Sequence, residues 1–202
     1  MIAVFTSLIV ASDYALAPII NVKLVDTLVF ATGFVFGFRI GAYVAVTSEL
    51  VWGIVSPFGF GGYIIPFLVV GEILYALAGY LASKVWGMGT KTSLEENWQG
   101  KARAFSQENF FFGAIIAVCA FLWDIETNLA TGLIATWPSP SVYSLTYVVT
   151  GIPFMIPHEL ADFVIGTSLA PIAITFFLRV RNSRPFLDKE KAGYLAGQPI
   201  KV

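Results

Sequence analysis

The stretch Pro138-Ser139-Pro140-Ser141-Val142-Tyr143-Ser144-Leu145-Thr146-Tyr147-Val148-Val149-Thr150-Gly151-Ile152-Pro153-Phe154-Met155-Ile156-Pro157-His158 decides how many times this chain crosses a membrane. Four prolines bracket it, and its unbroken part, Ser141 to Ile152, is 12 residues long. A helix of that length reaches about 18 Å, short of the ~30 Å hydrocarbon core of a bilayer. We therefore read Ser139 to His158 as an outer loop, or as a short helix lying over the rest of the protein.

Working outward, the flanking sequence supplies six apolar runs. They cover Met1 to Ala17, Val22 to Phe38, Ile40 to Val55, Tyr63 to Trp86, Phe110 to Thr136 and Glu159 to Leu178. Pro18, Arg39, Ser56-Pro57-Phe58-Gly59 and Trp137-Pro138 punctuate them. Gly87 to Glu108 is polar and charged, and a basic tail closes the chain. Of the 202 residues 57% are hydrophobic and only 12% charged, where a soluble domain carries about 25% charge. Mean hydropathy is +0.78. This composition excludes a disordered chain, a basic nucleic-acid binder and an ordinary soluble enzyme. A net charge of −1 recruits no polyanion. The single cysteine, Cys119, excludes an internal disulfide and a cysteine-based metal cluster. The fold expected is all-α: a six-helix transmembrane bundle over residues 1–182, with residues 183–202 as a cytoplasmic basic tail.

Lysine and arginine bias sets the orientation. With both termini in the cytoplasm, the inner side holds Arg39, Lys84, Lys91, Lys101, Arg103, Arg179, Arg181, Arg184, Lys189, Lys191 and Lys201, and the outer side only Lys23. A seventh span within Ser141 to Ile152 would spoil that asymmetry. Ala15-Leu16-Ala17 matches a signal-peptide cleavage pattern, but no basic residue precedes the first run, and Asp13 and Tyr14 interrupt it. We read the first run as a retained span.

Two stripes of small residues follow a four-residue spacing. Gly33, Gly37 and Gly41 are expected to pack helices inside the bundle. Ala3, Ser7, Ala11 and Ala15 form a small face on the first helix that fits either internal packing or docking of a partner helix.

Acidic side chains inside spans are expensive and usually functional. This topology brings Asp13, Asp26, Glu49, Glu72, Asp124, Glu126, Glu159 and Asp162 to the outer half, with His158 and Asn21 at the same level. The inner halves are almost wholly apolar. A pore or proton wire needs polar groups at every depth, so the layer fits a ligand pocket open to the outside. Lys23 and Asp26, three apart, have an explanation as a pair on one helix, and Glu159 and Asp162 as charges at a helix start. The candidate substrate-binding residues are Glu49, Trp52, Glu72, Tyr75, Trp123, Asp124, Asn128, His158 and Asp162. Trp137, Tyr143 and Tyr147 read as aromatic-belt residues.

His158 and Asp162 are four apart, as metal ligands on a helix are, which keeps an intramembrane metal-dependent hydrolase in view. One histidine in the chain makes that a poor reading, and neither a metal nor a cofactor is expected. No nucleotide-binding loop is present, and six spans without an inverted repeat are few for a self-sufficient carrier. A binding bundle without an engine suggests a subunit.

The chain resembles the substrate-binding S components of energy-coupling factor (ECF) transporters. The likeness rests on the first-helix face at Ala3, Ser7, Ala11 and Ala15, and on Phe36-Gly37-Phe38-Arg39-Ile40-Gly41-Ala42, similar to the family's junction between helices two and three. It continues in Ser56-Pro57-Phe58-Gly59, similar to an Asn-Pro-x-Gly outer loop, and in Leu122-Trp123-Asp124-Ile125-Glu126-Thr127-Asn128-Leu129 of helix five. Gly151-Ile152-Pro153-Phe154 and His158 precede helix six. Ser7, Ser56 and Trp123 depart from the family's usual alanine, asparagine and tyrosine. The resemblance implies a non-enzymatic plasma-membrane subunit that captures a vitamin or related micronutrient. Its partners would be a transmembrane coupling protein, docked through Ala3, Ser7 and Ala11, and two ATPase subunits.

Overall fold

Every regular element among the described residues is helical, as the uninterrupted apolar runs predict. The computed structural model describes residues 1–19, 21–86, 107–138 and 142–182. Among the described residues six α-helices follow one another: α1 (Ile2–Leu16), α2 (Val25–Phe36), α3 (Phe38–Val55), α4 (Ile65–Trp86), α5 (Gln107–Ala135) and α6 (Thr146–Asn182). Short 3-10 turns at Gly62–Ile64 and Val142–Leu145 lead into α4 and α6. Most of the expected polar loop, and the basic tail from residue 183, lie outside the described residues; Gln107 and Glu108 of that loop already belong to α5.

Four helical segments, Phe38–Val55, Gly62–Trp86, Asn109–Ala135 and Tyr143–Asn182, are long and apolar enough to cross a membrane. Two more, Ile2–Leu16 and Val25–Phe36, are apolar but only 15 and 12 residues long.

The expected outer loop is not one. From Thr146 onward its residues are the first turns of α6, which runs unbroken for 37 residues with Pro153, Pro157 and Pro171 inside it. That is about 55 Å of helix, well beyond a ~30 Å hydrocarbon core. Each proline removes one i→i−4 hydrogen bond without ending the helix, because packing on one face carries it through. Gly151, Met155, His158, Asp162, Gly166 and Ala170 are buried at spacings of three and four, while Pro153 and Pro157 face outward. His158, Glu159 and Asp162 therefore lie mid-helix, and the helix-start explanation for these two carboxylates falls.

The second run also ends earlier than expected. α2 stops at Phe36, and Phe38 already opens α3. Between them Gly37 takes φ +89°, where L side chains are disfavoured, and a Cβ there would meet no atom within 4 Å. The glycine is required by backbone conformation, not by space. Residues 25–35 of α2 are all buried, so α2 is the central strut of the bundle and its neighbours wrap it.

Glycines let those neighbours approach, as expected. A Cβ on Gly33 would stand 2.2 Å from the Ala76 carbonyl oxygen, and one on Gly79 2.0 Å from that of Phe30. A Cβ on Gly41 would lie 2.8 Å from Gly33 Cα. α2, α3 and α4 thus meet backbone to backbone. α5 and α6 form the most extensive helix pair, tightened where Gly113 and Gly166 face each other. One end of the bundle is closed by aromatic packing: Phe5 lies 4.6 Å from Phe177 and 5.3 Å from Phe36, and Phe112 lies 5.7 Å from Phe30. At that end Arg181 Nη1 donates to the Val35 carbonyl at 2.9 Å, a cation at the C-terminus of α2.

α1 shows two faces. Phe5, Ile9 and Asp13 are buried, whereas Ala3, Ser7, Ala11 and Ala15 are exposed. The small-residue stripe therefore plays no part in packing this bundle.

Candidate ligand-binding site

Each helix brings ionisable or polar side chains to the end opposite the aromatic cluster. Asp13 comes from late in α1 and Asp26 from the first turn of α2. Glu49 comes from late in α3, Glu72 and Tyr75 from early in α4, Asp124 from α5, and His158 and Asp162 from α6. All eight are buried. Glu72 and Tyr75 share a helix face at a spacing of three, as do His158 and Asp162 at four.

The geometry centres on His158. Its Nδ1 lies 3.0 Å from Asp124 Oδ2, and its Nε2 lies 3.9 Å from Asp26 Oδ2, beyond hydrogen-bond reach. The Trp123 ring meets the imidazole edge-on at 5.6 Å between centroids. Trp123 is seated by Gly71, where a Cβ would come within 2.3 Å of the indole. The Tyr75 hydroxyl donates to Asp162 Oδ2 at 3.3 Å. Asp13 Oδ1 accepts from the Leu24 backbone N–H at 3.3 Å, tying α1 to the start of α2.

Several buried atoms have no hydrogen-bond partner among the described residues: Asp26 Oδ2, Glu49 Oε2, Glu72 Oε1, His158 Nε2, Asp162 Oδ1, Trp123 Nε1 and Thr27 Oγ1. Desolvating such groups without partners costs several kcal/mol, so a fold retains them where something else meets them.

Lys23 lies between α1 and α2. Its Nζ stands over the Trp123 ring at 5.1 Å and the Trp52 ring at 5.9 Å. Burial works against its charge, and the nearby carboxylates of Glu49, Asp26, Asp13 and Glu72 favour it. Lys23 precedes the first turn of α2, so the expected pairing with Asp26 along one helix does not form. Beside it opens a cavity of about 280 Å³, lined by Asp13, Ala17, Ile19, Asn21, Val22, Lys23, Trp52 and Phe58. Asn21 is fastened to α6 by its Nδ2, which donates to the Phe154 carbonyl at 2.6 Å. A second cavity of about 550 Å³, bounded by Tyr63, Phe67, Ala130, Leu133, Ile134 and Trp137, holds no charged group.

Of the residues chosen from sequence, Glu49, Trp52, Glu72, Tyr75, Trp123, Asp124, His158 and Asp162 assemble at this end. Asn128 does not join them. Its Nδ2 donates to the Asp124 carbonyl at 2.8 Å within its own helix, and its amide packs where a Cβ on Gly151 would stand 2.6 Å away. Glu126 and Glu159 are only half-buried, while Trp137, Tyr143 and Tyr147 are exposed. Sequence reasoning set aside Lys23 and Asp26 as a local pair. The signal that separates Asp26 was present: it is the single charged residue in a helix otherwise apolar or hydroxylic all round.

No family model matches the chain, and neither a curated protein nor a solved structure matches it.

Proposed function

We propose that this chain is the substrate-capture subunit of an ECF-type importer, a non-enzymatic S component that takes up a vitamin or related micronutrient from outside the plasma membrane. The observation that carries the reading is the convergence of buried side chains from all six helices at one end, several with unpartnered atoms. The other end is packed with aromatic rings, which favours a one-sided pocket over a pore. In this reading all six helices span, α1 and α2 within a locally thinned bilayer, both termini are cytoplasmic, and the acidic layer faces outward. The exposed face at Ala3, Ser7 and Ala11 supports docking on a transmembrane coupling protein that two ATPases drive. A metal-dependent intramembrane enzyme is the second reading, favoured by the His158–Asp162 spacing.

Purification from native membranes separates the two, since an S component brings ATPase subunits with it and an enzyme does not. Mass spectrometry of small molecules retained by the protein then reads the pocket. Glu72→Gln and Asp124→Asn keep shape and remove charge. Each is expected to lower retention of the bound molecule at least tenfold, about 1.4 kcal/mol. Glu95→Gln, in the segment between α4 and α5, is expected to retain it fully. Wild-type retention by both inner variants would move the site elsewhere.

A further inference from the structure

We propose that Asp26, His158 and Asp162 form a three-ligand site for a divalent transition-metal cation. One ligand atom from each lies within 4.8 Å of the others, and the three residues are 2%, 4% and 0% exposed. Each of the three has a buried atom without a hydrogen-bond partner among the described residues, Asp26 Oδ2, His158 Nε2 and Asp162 Oδ1, and the first two stand 3.9 Å apart. Their other atoms are engaged in the way that prepares a metal ligand. His158 Nδ1 lies 3.0 Å from Asp124 Oδ2, so a proton on Nδ1 has its acceptor there and Nε2, 3.9 Å from Asp26 Oδ2, is the nitrogen left to ligate. A carboxylate behind a histidine fixes the tautomer and raises the basicity of the ligating nitrogen. Tyr75 holds Asp162 by Oδ2 and leaves Oδ1 free.

The donor set selects the ion. One imidazole nitrogen and two carboxylate oxygens suit manganese to zinc among the divalent ions, whereas calcium and magnesium prefer oxygen alone. Donors about 2.1 Å from a common ion stand roughly 3.4 Å apart in a tetrahedron, so small side-chain rotations close the present spacing. Two carboxylates neutralise the ion, and three protein ligands leave coordination positions open, unlike a closed structural zinc site. The inference rests on reading the acidic layer as the ligand site and gives its ligand a chemistry. ATPase co-purification tests the transport role independently of metal content.

The test uses the full chain in detergent, stripped with a chelator and titrated with zinc or manganese in excess magnesium. One equivalent is expected to bind. His158→Gln and Asp162→Asn should each weaken binding at least tenfold, and Glu159→Gln, on the same helix, should bind as wild type. X-ray absorption of the zinc-loaded wild type should show a single imidazole in the first shell, which decides the matter even where a variant fails to fold. Absence of bound metal, undiminished binding in both variants, or a spectrum without imidazole overturns the proposal. So does stabilisation of the stripped protein by ethylammonium and not by zinc or manganese, which would assign the site to an organic ammonium.

Discussion

Asp26 and Gly79 stand at opposite ends of the same problem, a backbone packed so closely that a single atom matters. At Gly79 an added methyl meets the Phe30 carbonyl oxygen at 2.0 Å, and backbone does not move aside as a flexible side chain does. Gly79→Ala is expected to destabilise the protein by about 1–3 kcal/mol, the usual cost of overpacking a core. Gly37→Ala has free space and meets only the penalty of φ +89°, about 1 kcal/mol. Thermal unfolding in detergent should rank the variants in that order; the reverse ranking would mean that α2 and α4 separate readily. At Asp26 the tolerance is chemical instead. Its Oδ2 has no hydrogen-bond donor among the described residues, so that oxygen is open to whatever cation, proton or water meets it.

At the scale of the element, α1 divides its work between two faces. Ile9 is 1% exposed in the core, and Ile9→Ala should cost about 2–5 kcal/mol of stability. Ala11 lies on the exposed stripe, so Ala11→Leu should leave the unfolding temperature of the isolated protein unchanged while abolishing recovery of the coupling subunits. A destabilised Ala11→Leu protein would refute the docking role. α6 teaches a different lesson. Pro153 and Pro157 read as boundaries in the sequence, because proline deletes a donor and crowds the preceding turn. That rule prices the lost hydrogen bonds but not the compensation, and the buried stripe from Gly151 to Ala170 is the compensation. The stripe was visible as a three-and-four spacing running through Pro153 and Pro157. A local rule about proline hid a longer pattern.

For the whole molecule, helix class, the positions of most helices and the gathering of Glu49, Glu72, Tyr75, Asp124, His158 and Asp162 at one end of the bundle were legible in the sequence. Apolar runs and the expense of buried charge are strong signals, and alternating helix direction places residues in depth without coordinates. What escaped was tertiary. Nothing local says that Asn128 spends its amide on its own helix, or that Lys23 stacks between two indoles. The proposed orientation is checked with single cysteines at Tyr143, which is 71% exposed, and at Thr92, in a Cys119→Ala background. An impermeant thiol reagent on intact cells should label position 143 and spare 92; the opposite pattern overturns both the orientation and the outward-facing pocket. The central helix α2 carries a consequence for biosynthesis. Its seven large apolar residues would favour insertion by roughly 2–4 kcal/mol in total, and Asp26 in its first turn subtracts from that. In the proposed topology, a nascent chain that has made only α1 and α2 would therefore gain little from leaving α2 in lipid. Its commitment would then wait for α3, α4 and α6 to emerge and enclose it, and the segment at the centre of the finished bundle is expected to settle late during translation.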